Sequence, residues 1–152
     1  MNIAQIIGQT RRMSVHFLSQ SVDWATPKGV YDKLNQEFNF NFDPCPLGGS
    51  SYMNGLEMEW GNSTFCNPPY GREIGKWTAK ALEENAKGKT IVLLIPSRTD
   101  TKWWHSHIMK ANEIRFIKGR LKFGDAINSA PFPSALAIFT YTDIIEGSEI
   151  EE

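Results

Sequence analysis

The stretch at residues 91–95 constrains the fold of this 152-residue chain more than any other feature. It reads Ile-Val-Leu-Leu-Ile, an unbroken apolar run that ends at Pro96. Such a run predicts a strand that is buried on both faces, as in a parallel sheet covered by helices. The remaining chain should therefore supply further strands and the helices that cover them.

The segments around this run predict an alternation of helices and strands. Helices are predicted from Pro27, with Thr26 as N-cap, and at residues 74–86, because apolar residues recur there at helical spacing. A further helix is expected at residues 101–111. Shorter apolar or alternating stretches predict strands at residues 39–45, 63–66, 114–118, 121–123 and 135–141. This order is typical of an α/β domain.

Length and composition favour a single domain over residues 1–152, with an N-terminal arm at 1–22 and an acidic tail at 143–152. No stretch approaches the roughly 20 apolar residues that span a bilayer, and the first residues lack the order of a signal peptide. We therefore expect a cytoplasmic protein with Cys45 and Cys66 as free thiols. The spacing of the cysteines and histidines does not predict a metal site.

The most specific feature is Asn67-Pro68-Pro69-Tyr70, directly after a predicted strand, where ligands bind in open α/β sheets. An amine on a planar ring is a poor nucleophile because its lone pair is delocalised. Two rigidly held acceptors, the Asn67 side-chain oxygen and the Pro68 carbonyl, would draw such a nitrogen toward a tetrahedral state. Tyr70 would offer a face for a flipped base. The alternative is a rigid turn without a chemical role.

Two loops near this motif add weaker candidates. Asp43 lies near the end of the first predicted strand and precedes Gly48 and Gly49, so its carboxylate could accept hydrogen bonds from a cofactor, although an Asp-capped turn is the simpler interpretation. Arg98 follows the buried strand and is a candidate for a phosphate or base contact. A solvated surface arginine explains it equally well.

A basic stretch suggests where nucleic acid would bind. The net charge of −1 argues against a protein that coats nucleic acid but not against a local patch. Lys118, Arg120 and Lys122 form such a patch, with Arg115 close by, and Arg120 could pair with a phosphate. Ser134, which follows Phe132 and Pro133, either lines a target pocket or belongs to a structural turn.

Several motifs occurring together resemble the phage-type DNA N6-adenine methyltransferases, the Dam-like family. The similarity covers about residues 22–140. It is carried by Asp-Trp-Ala-Thr-Pro at 23–27, Phe-Asp-Pro-Cys at 42–45, Trp-Gly at 60–61, Phe-Cys-Asn-Pro-Pro-Tyr-Gly at 65–71, Leu-Ile-Pro-Ser-Arg-Thr-Asp-Thr at 94–101, Lys-Gly-Arg-Leu-Lys-Phe at 118–123 and Ala-Pro-Phe-Pro-Ser-Ala at 130–135. The resemblance implies a site-specific enzyme that methylates N6 of adenine in double-stranded DNA from S-adenosylmethionine.

The same resemblance implies a compact Rossmann-like methyltransferase fold and roles for particular residues. Asn67, Pro68, Pro69 and Tyr70 correspond to the catalytic motif. Residues similar to those that hold the methyl donor are Trp24, Thr26, Pro27, Asp43, Pro44 and Asn67. The DNA contacts implied alongside them are Arg98, Lys118, Arg120, Lys122 and Ser134.

The chain departs from the broader methyltransferase pattern in one respect. It lacks a Phe-x-Gly-x-Gly motif, and only 24 positions separate Asp43 from Asn67, so we expect a reduced sheet. The chemistry of the Asn67 motif also suits cytosine N4, an RNA base or a glutamine side chain, and an inactive nucleic-acid-binding module is a further alternative. The sequence does not indicate a recognition site or an oligomeric state.

Overall fold

A computed structural model describes residues 24–46 and 54–141 as an α/β domain. The expected arm at 1–22, the acidic tail at 143–152 and the Gly48-Gly49 turn lie outside the described residues. The helices are α1 (Lys28–Phe38), α2 (Ile74–Ala86) and α3 (Lys102–Ser106), followed by a 3-10 turn at Ile108–Lys110. The strands are β1 (Ser63–Cys66), β2 (Thr90–Pro96), β3 (Glu113–Phe116) and β4 (Ser134–Phe139). None of these helices is both long and apolar enough to cross a membrane.

The apolar run forms the central strand, as predicted. The sheet order in the described part is β1-β2-β4-β3, and residues 91–95 of β2 are completely buried. β2 runs parallel to β1, with Cys66 beside Leu93, but antiparallel to β4, with Pro96 beside Ser134. The sheet is therefore mixed rather than parallel, and its four strands fit a reduced Rossmann-like methyltransferase fold.

Both faces of the sheet are covered, because side chains alternate along each strand. On one face Ile74, Trp77 and Ala81 of α2 pack in a single cluster with the odd-numbered residues of β2. On the other face Leu34 of α1 packs in a cluster with Val92 and Leu94. The helices thus lie on opposite sides of β2, which explains why its sequence is apolar throughout.

The first helix and the segment after it differ from the predictions. α1 begins at Lys28, its N-cap position is Pro27, and no side chain caps it, so the assignment of Thr26 as N-cap is wrong. Asn39 adopts a left-handed conformation (φ 50°) that ends the helix. The predicted strand at 39–45 is reduced to one parallel bridge between Phe42 and Thr64. A turn follows immediately, because the Asp43 side chain accepts from the backbone N–H of Cys45 at 2.9 Å.

Two further predictions are only partly correct. The predicted strand at 121–123 is a loop, because its backbone bonds elsewhere: the N–H of Gly124 donates to Ala25, and that of Ala130 donates to Leu121. Gly119 and Gly124 have positive φ values of 78° and 53°, which suit a turning chain rather than a strand. The predicted helix at 101–111 is split into α3 and the 3-10 turn.

A buried ion network closes the amino end of the sheet. The Glu84 carboxylate is fully buried in α2 and accepts hydrogen bonds from Lys80, Lys87 and Lys89 at 2.7, 3.1 and 2.6 Å. Burial raises the pKa of Glu84, but the three lysines outweigh this and bring it to about 2. Lys89 also donates to the Trp60 carbonyl, so the network ties the chain before β1 to α2 and β2.

We expect Glu84→Gln to lower the free energy of unfolding by about 3 kcal/mol, because it removes the counter-charge that three lysines share and leaves the buried Lys89 only the exposed Glu59 as a partner. Urea unfolding at pH 7 measures this. The control is Asp32→Asn, which breaks the exposed Lys28–Asp32 pair and should cost less than about 0.5 kcal/mol. Since the pKa of Glu84 lies below its ordinary 4.5, the stabilisation is complete above that pH and disappears as the pH falls towards 2. Equal stability of Glu84→Gln and wild type at pH 7 would contradict the prediction.

Candidate active site

The Asn67 carboxamide joins two segments at the carboxyl end of β1. Its nitrogen donates to the backbone carbonyl of Trp24 and, at 3.2 Å, to the Thr26 hydroxyl. Because a carbonyl oxygen can only accept, the nitrogen must face Trp24, and the Asn67 side-chain oxygen must point the other way. That oxygen is buried and has no hydrogen-bond partner among the described residues. It is therefore an acceptor held in a fixed direction and available to a donor from outside the chain.

The residues after Asn67 fix the turn rigidly. Pro68 is buried and Pro69 is exposed, and neither has a backbone N–H that could compete for an acceptor. The Tyr70 hydroxyl donates to the Leu94 carbonyl at 3.3 Å, which fastens the turn across β2. The turn thus holds the residues on either side of the two prolines in fixed positions.

Four aromatic rings, which we call the aromatic cluster, pack beside this turn: Trp24, Tyr70, Phe123 and Phe132. The Trp24 ring lies stacked near Tyr70 at 6.2 Å with an interplanar angle of 26°. Phe123 and Phe132 meet Tyr70 edge to face at 6.1 and 5.5 Å, and both also contact Trp24 edge to face. One side of the Tyr70 ring is consequently covered by Trp24.

Asp43 lies beside β1, because the preceding residue, Phe42, forms a parallel bridge with Thr64. Burial raises the pKa of the Asp43 carboxyl, and the hydrogen bond from the Cys45 backbone only partly offsets this. Within residues 24–46 and 54–141 no cation pairs with it. A half-buried carboxylate without a counter-charge can accept hydrogen bonds from hydroxyl or ammonium groups of a ligand.

The two cysteines are free thiols and differ in exposure. Burial, together with the nearby Asp43 charge, raises the pKa of Cys45 to about 11, and burial raises that of the fully buried Cys66 well above its usual range. Both therefore stay protonated at neutral pH, and neither can supply a thiolate nucleophile. In the described part of the chain no group of three or more His, Cys, Asp or Glu residues could hold a metal ion.

Two serines that bracket the end of β2 have unpartnered hydroxyls. Ser134 is 1% exposed and lies beside Pro96 in the sheet register, while the Ser97 backbone N–H donates to the Pro133 carbonyl. Both hydroxyl oxygens are buried without a partner in the described residues. The sequence pointed to Ser134 and Arg98 as candidates but assigned no role to Ser97, which precedes Arg98. Its signal was its position, a polar residue directly after a buried strand.

The cations in and near the predicted basic patch differ in whether a described acidic residue pairs with them. Lys118, Arg120 and Lys122 are exposed, and no ion pair involves them within the described ranges. Arg115, which lies close to the patch in sequence, instead binds Glu37 at 2.6 Å and Glu113 at 2.5 Å, so its charge is neutralised.

Arg98 connects the aromatic cluster to the surface. Its side chain is exposed, and its guanidinium lies 5.9 Å from the centre of the Phe132 ring. No described acidic residue pairs with it. The arginine is therefore a free cation at the same edge of the sheet as Asn67.

Comparison with known proteins gives two consistent matches. The family model described as DNA N-6-adenine-methyltransferase (Dam) matches residues 16–134. A relative named DNA N-6-adenine-methyltransferase, from Haemophilus phage HP1 (strain HP1c1), is 28% identical over 76% of this chain and 77% of its own length. Both matches include the Asn67 turn and extend well beyond it on either side.

The thiol chemistry of Cys45 can be tested directly. We expect iodoacetamide to alkylate Cys45 in the folded protein about tenfold more slowly at pH 8 than in the guanidinium-unfolded chain, because a pKa of about 11 leaves little thiolate. The rate should rise steeply up to pH 11, as followed by mass spectrometry. Cys66 is the internal control and should remain unmodified until the protein unfolds. Equally fast labelling of Cys45 in both states would contradict the assignment.

Proposed function

Since the chain belongs to the DNA N-6-adenine-methyltransferase (Dam) family, it is a DNA adenine methyltransferase that uses S-adenosylmethionine, and we propose that Asn67 and Pro68 activate the adenine amine. The observation that carries this proposal is the fixed Asn67 carboxamide. Its nitrogen is occupied by Trp24 and Thr26, whereas its buried oxygen lacks a donor. An adenine N6–H is a donor of the kind this oxygen requires.

The proposed mechanism is a direct transfer to N6. The Asn67 oxygen and the Pro68 carbonyl accept the two amine hydrogens and draw N6 toward a tetrahedral state, so its lone pair is no longer delocalised into the ring and can attack the methyl group. The N6–CH3 bond would form as the S–CH3 bond of the donor breaks, and the methylated amine would then release one proton to solvent. Because these acceptors are fixed before the base arrives, they need little reorganisation during the reaction. The protonated thiols of Cys45 and Cys66 fit a route without a covalent enzyme intermediate.

S-adenosylmethionine supplies an electrophilic methyl group on a sulfonium centre. We assign its binding to the carboxyl edge of the sheet, and the residues proposed to hold it are Trp24, Thr26, Pro27, Asp43, Pro44 and Asn67. The unpaired Asp43 carboxylate fits a ligand that carries hydroxyl and ammonium groups. Thr26 fits as well, because its bond to Asn67 links the donor-binding segment to the reacting centre.

The proposed role of Tyr70 is to stack on the flipped adenine, a contact worth about 1–3 kcal/mol. The Trp24 ring lies stacked near Tyr70, so a base that takes this place has to displace it. Exchanging one aromatic contact for another offsets part of the cost of extruding a base from the duplex.

The proposed substrate form is double-stranded DNA, and the proposed location is the cytoplasm. The exposed Lys118, Arg120 and Lys122 would neutralise phosphates, and Arg98 would contact a phosphate or base near the target. Ser134 completes the DNA contacts beside the base. All of these groups except Ser134 are exposed, as phosphate contacts require.

The decisive variant is Asn67→Ala. We expect it to lower the rate of methyl transfer at least about a hundredfold, the effect of removing a preorganised donor or acceptor from a reacting centre. The assay uses labelled S-adenosylmethionine, unmethylated duplex DNA and nucleoside analysis for N6-methyladenine. Donor binding, measured by calorimetry, should persist because other residues also hold the donor.

The matched control is Asn62→Ala. Asn62 lies at the amino end of β1, at the opposite end of the strand that Asn67 follows, and its side chain is exposed. We expect wild-type transfer from this variant. Unchanged activity of Asn67→Ala would exclude the proposed mechanism, whereas loss of donor binding together with activity would assign Asn67 to the donor rather than to the base.

The DNA-binding role of the basic patch predicts a change in salt dependence. Arg120→Ala should weaken duplex binding and reduce the slope of log K against log salt by about 1, the value expected for one lost phosphate contact. Fluorescence anisotropy at several salt concentrations measures the slope. Lys33→Ala, which removes an exposed lysine on α1, is the control and should leave it unchanged. Identical slopes for Arg120→Ala and wild type would exclude Arg120 as a phosphate contact.

A further inference from the structure

Three buried side-chain oxygens without partners occur in the described part of the chain: Asn67 Oδ1, Ser97 Oγ and Ser134 Oγ. All three lie at one edge of the sheet, where β1 and β2 end and β4 begins. A buried hydroxyl without a hydrogen bond costs about 1–3 kcal/mol, so native proteins seldom keep one. Their grouping at the reacting edge indicates a shared ligand rather than scattered packing defects.

The sheet register relates Ser134 to Asn67. Leu94 and Leu136, two residues before Pro96 and two after Ser134, belong to the cluster on the face that α1 covers, so Ser134 also faces that side. Asn67 reaches the same side, where it contacts Trp24. β2 separates their strands, so the two Cα atoms lie about 12 Å apart from strand spacing and register. The side chains of Asn67 and Ser134, with a planar base between them, would fill this distance.

We propose that Ser97 and Ser134 form a subsite for the ring nitrogens of the target adenine, an inference that rests on the proposed function of Asn67. Hydroxyl groups can donate, and the adenine ring nitrogens are acceptors. With N6 held at Asn67, the far side of the purine extends toward β4. The Ser97 backbone N–H donates to the Pro133 carbonyl, so Ser97 lies next to Ser134 at that end of the sheet.

The subsite would also select the base. A pocket that hydrogen-bonds its substrate rejects an analogue that lacks the partner atom, because its polar groups are then left unpaired. Cytosine offers an amine to Asn67, but its smaller ring does not extend as far toward the serines. The serine pair thereby favours adenine over cytosine, a distinction that the Asn67 motif alone does not make.

The test uses a synthetic duplex with one mapped methylation site, in which the target adenine is replaced by 1-deaza-, 3-deaza- or 7-deazaadenine. The wild-type enzyme should lose about tenfold in kcat/KM on at least one analogue, since a single hydrogen bond is removed. Ser97→Ala or Ser134→Ala should lose about as much on natural DNA and lose nothing further on that analogue. A structural role would not produce this non-additive result.

Two measurements separate the subsite from misfolding. Removing an unsatisfied buried hydroxyl should leave the thermal midpoint of each serine variant at or above that of the wild type. The matched control is Ser63→Ala, whose hydroxyl donates to the Phe38 carbonyl at 2.7 Å and whose loss should lower the midpoint while the analogue profile stays that of wild type.

The proposal is overturned if each analogue lowers kcat/KM of the serine variants by the same factor as in the wild type, or if the variants methylate natural DNA at the wild-type rate. Failure of the proposed function has a different signature. In that case Asn67→Ala retains activity on natural DNA, whatever the serine variants do.

Discussion

The hydrogen bond from the Asn67 carboxamide to the Trp24 carbonyl is the contact on which the site depends. It joins segments that are 43 positions apart and fixes which end of the amide faces the reacting space. The neighbouring segment is held from a second direction, because the Ala25 carbonyl accepts from Gly124. The short stretch before α1 is therefore clamped between the turn after β1 and the loop after β3. Without that clamp the amide could rotate, and the chemistry would lose its fixed acceptor.

The same clamp explains how a small sheet can form a closed site. The sheet contributes the ends of β1 and β2. Loops whose aromatic side chains pack on one another cover these ends. Phe123 and Phe132 come from the long connection between β3 and β4, whereas Trp24 precedes α1. Contacts between aromatic rings of this kind are worth about 0.5–1.5 kcal/mol each beyond the area they bury. Such a cover can hold the loops together and still exchange one ring for a substrate base.

The sequence predicted those parts of the fold that depend on local pattern. The buried central strand, α2 and the turn at Asn67 were all correctly located, because an apolar run, a helical period and two prolines each determine structure locally. The strand at 121–123 was wrong because this part of the chain bonds to other loops: the Leu121 carbonyl accepts from Ala130, and the following Gly124 donates to Ala25. Arg115 lies close to the basic patch in sequence, but its ion pair could not be predicted, since its partner Glu37 lies 78 positions away. Likewise, the Thr26 side chain serves Asn67 instead of a helix cap, which no local pattern could indicate.

Buried polar groups are hydrogen-bonded at the amino end of the sheet, whereas some at the carboxyl end have no partner in the described residues. At the amino end the buried Glu84 carboxylate accepts hydrogen bonds from three lysines, and one of them also holds the chain that enters β1. At the carboxyl end, three oxygens are buried without a partner in the described residues. Each unsatisfied group costs about 1–3 kcal/mol, a large fraction of the stability of a domain this size. In the proposed function a substrate supplies the missing donor or acceptor, which would make the unsatisfied end of this sheet also its reacting end.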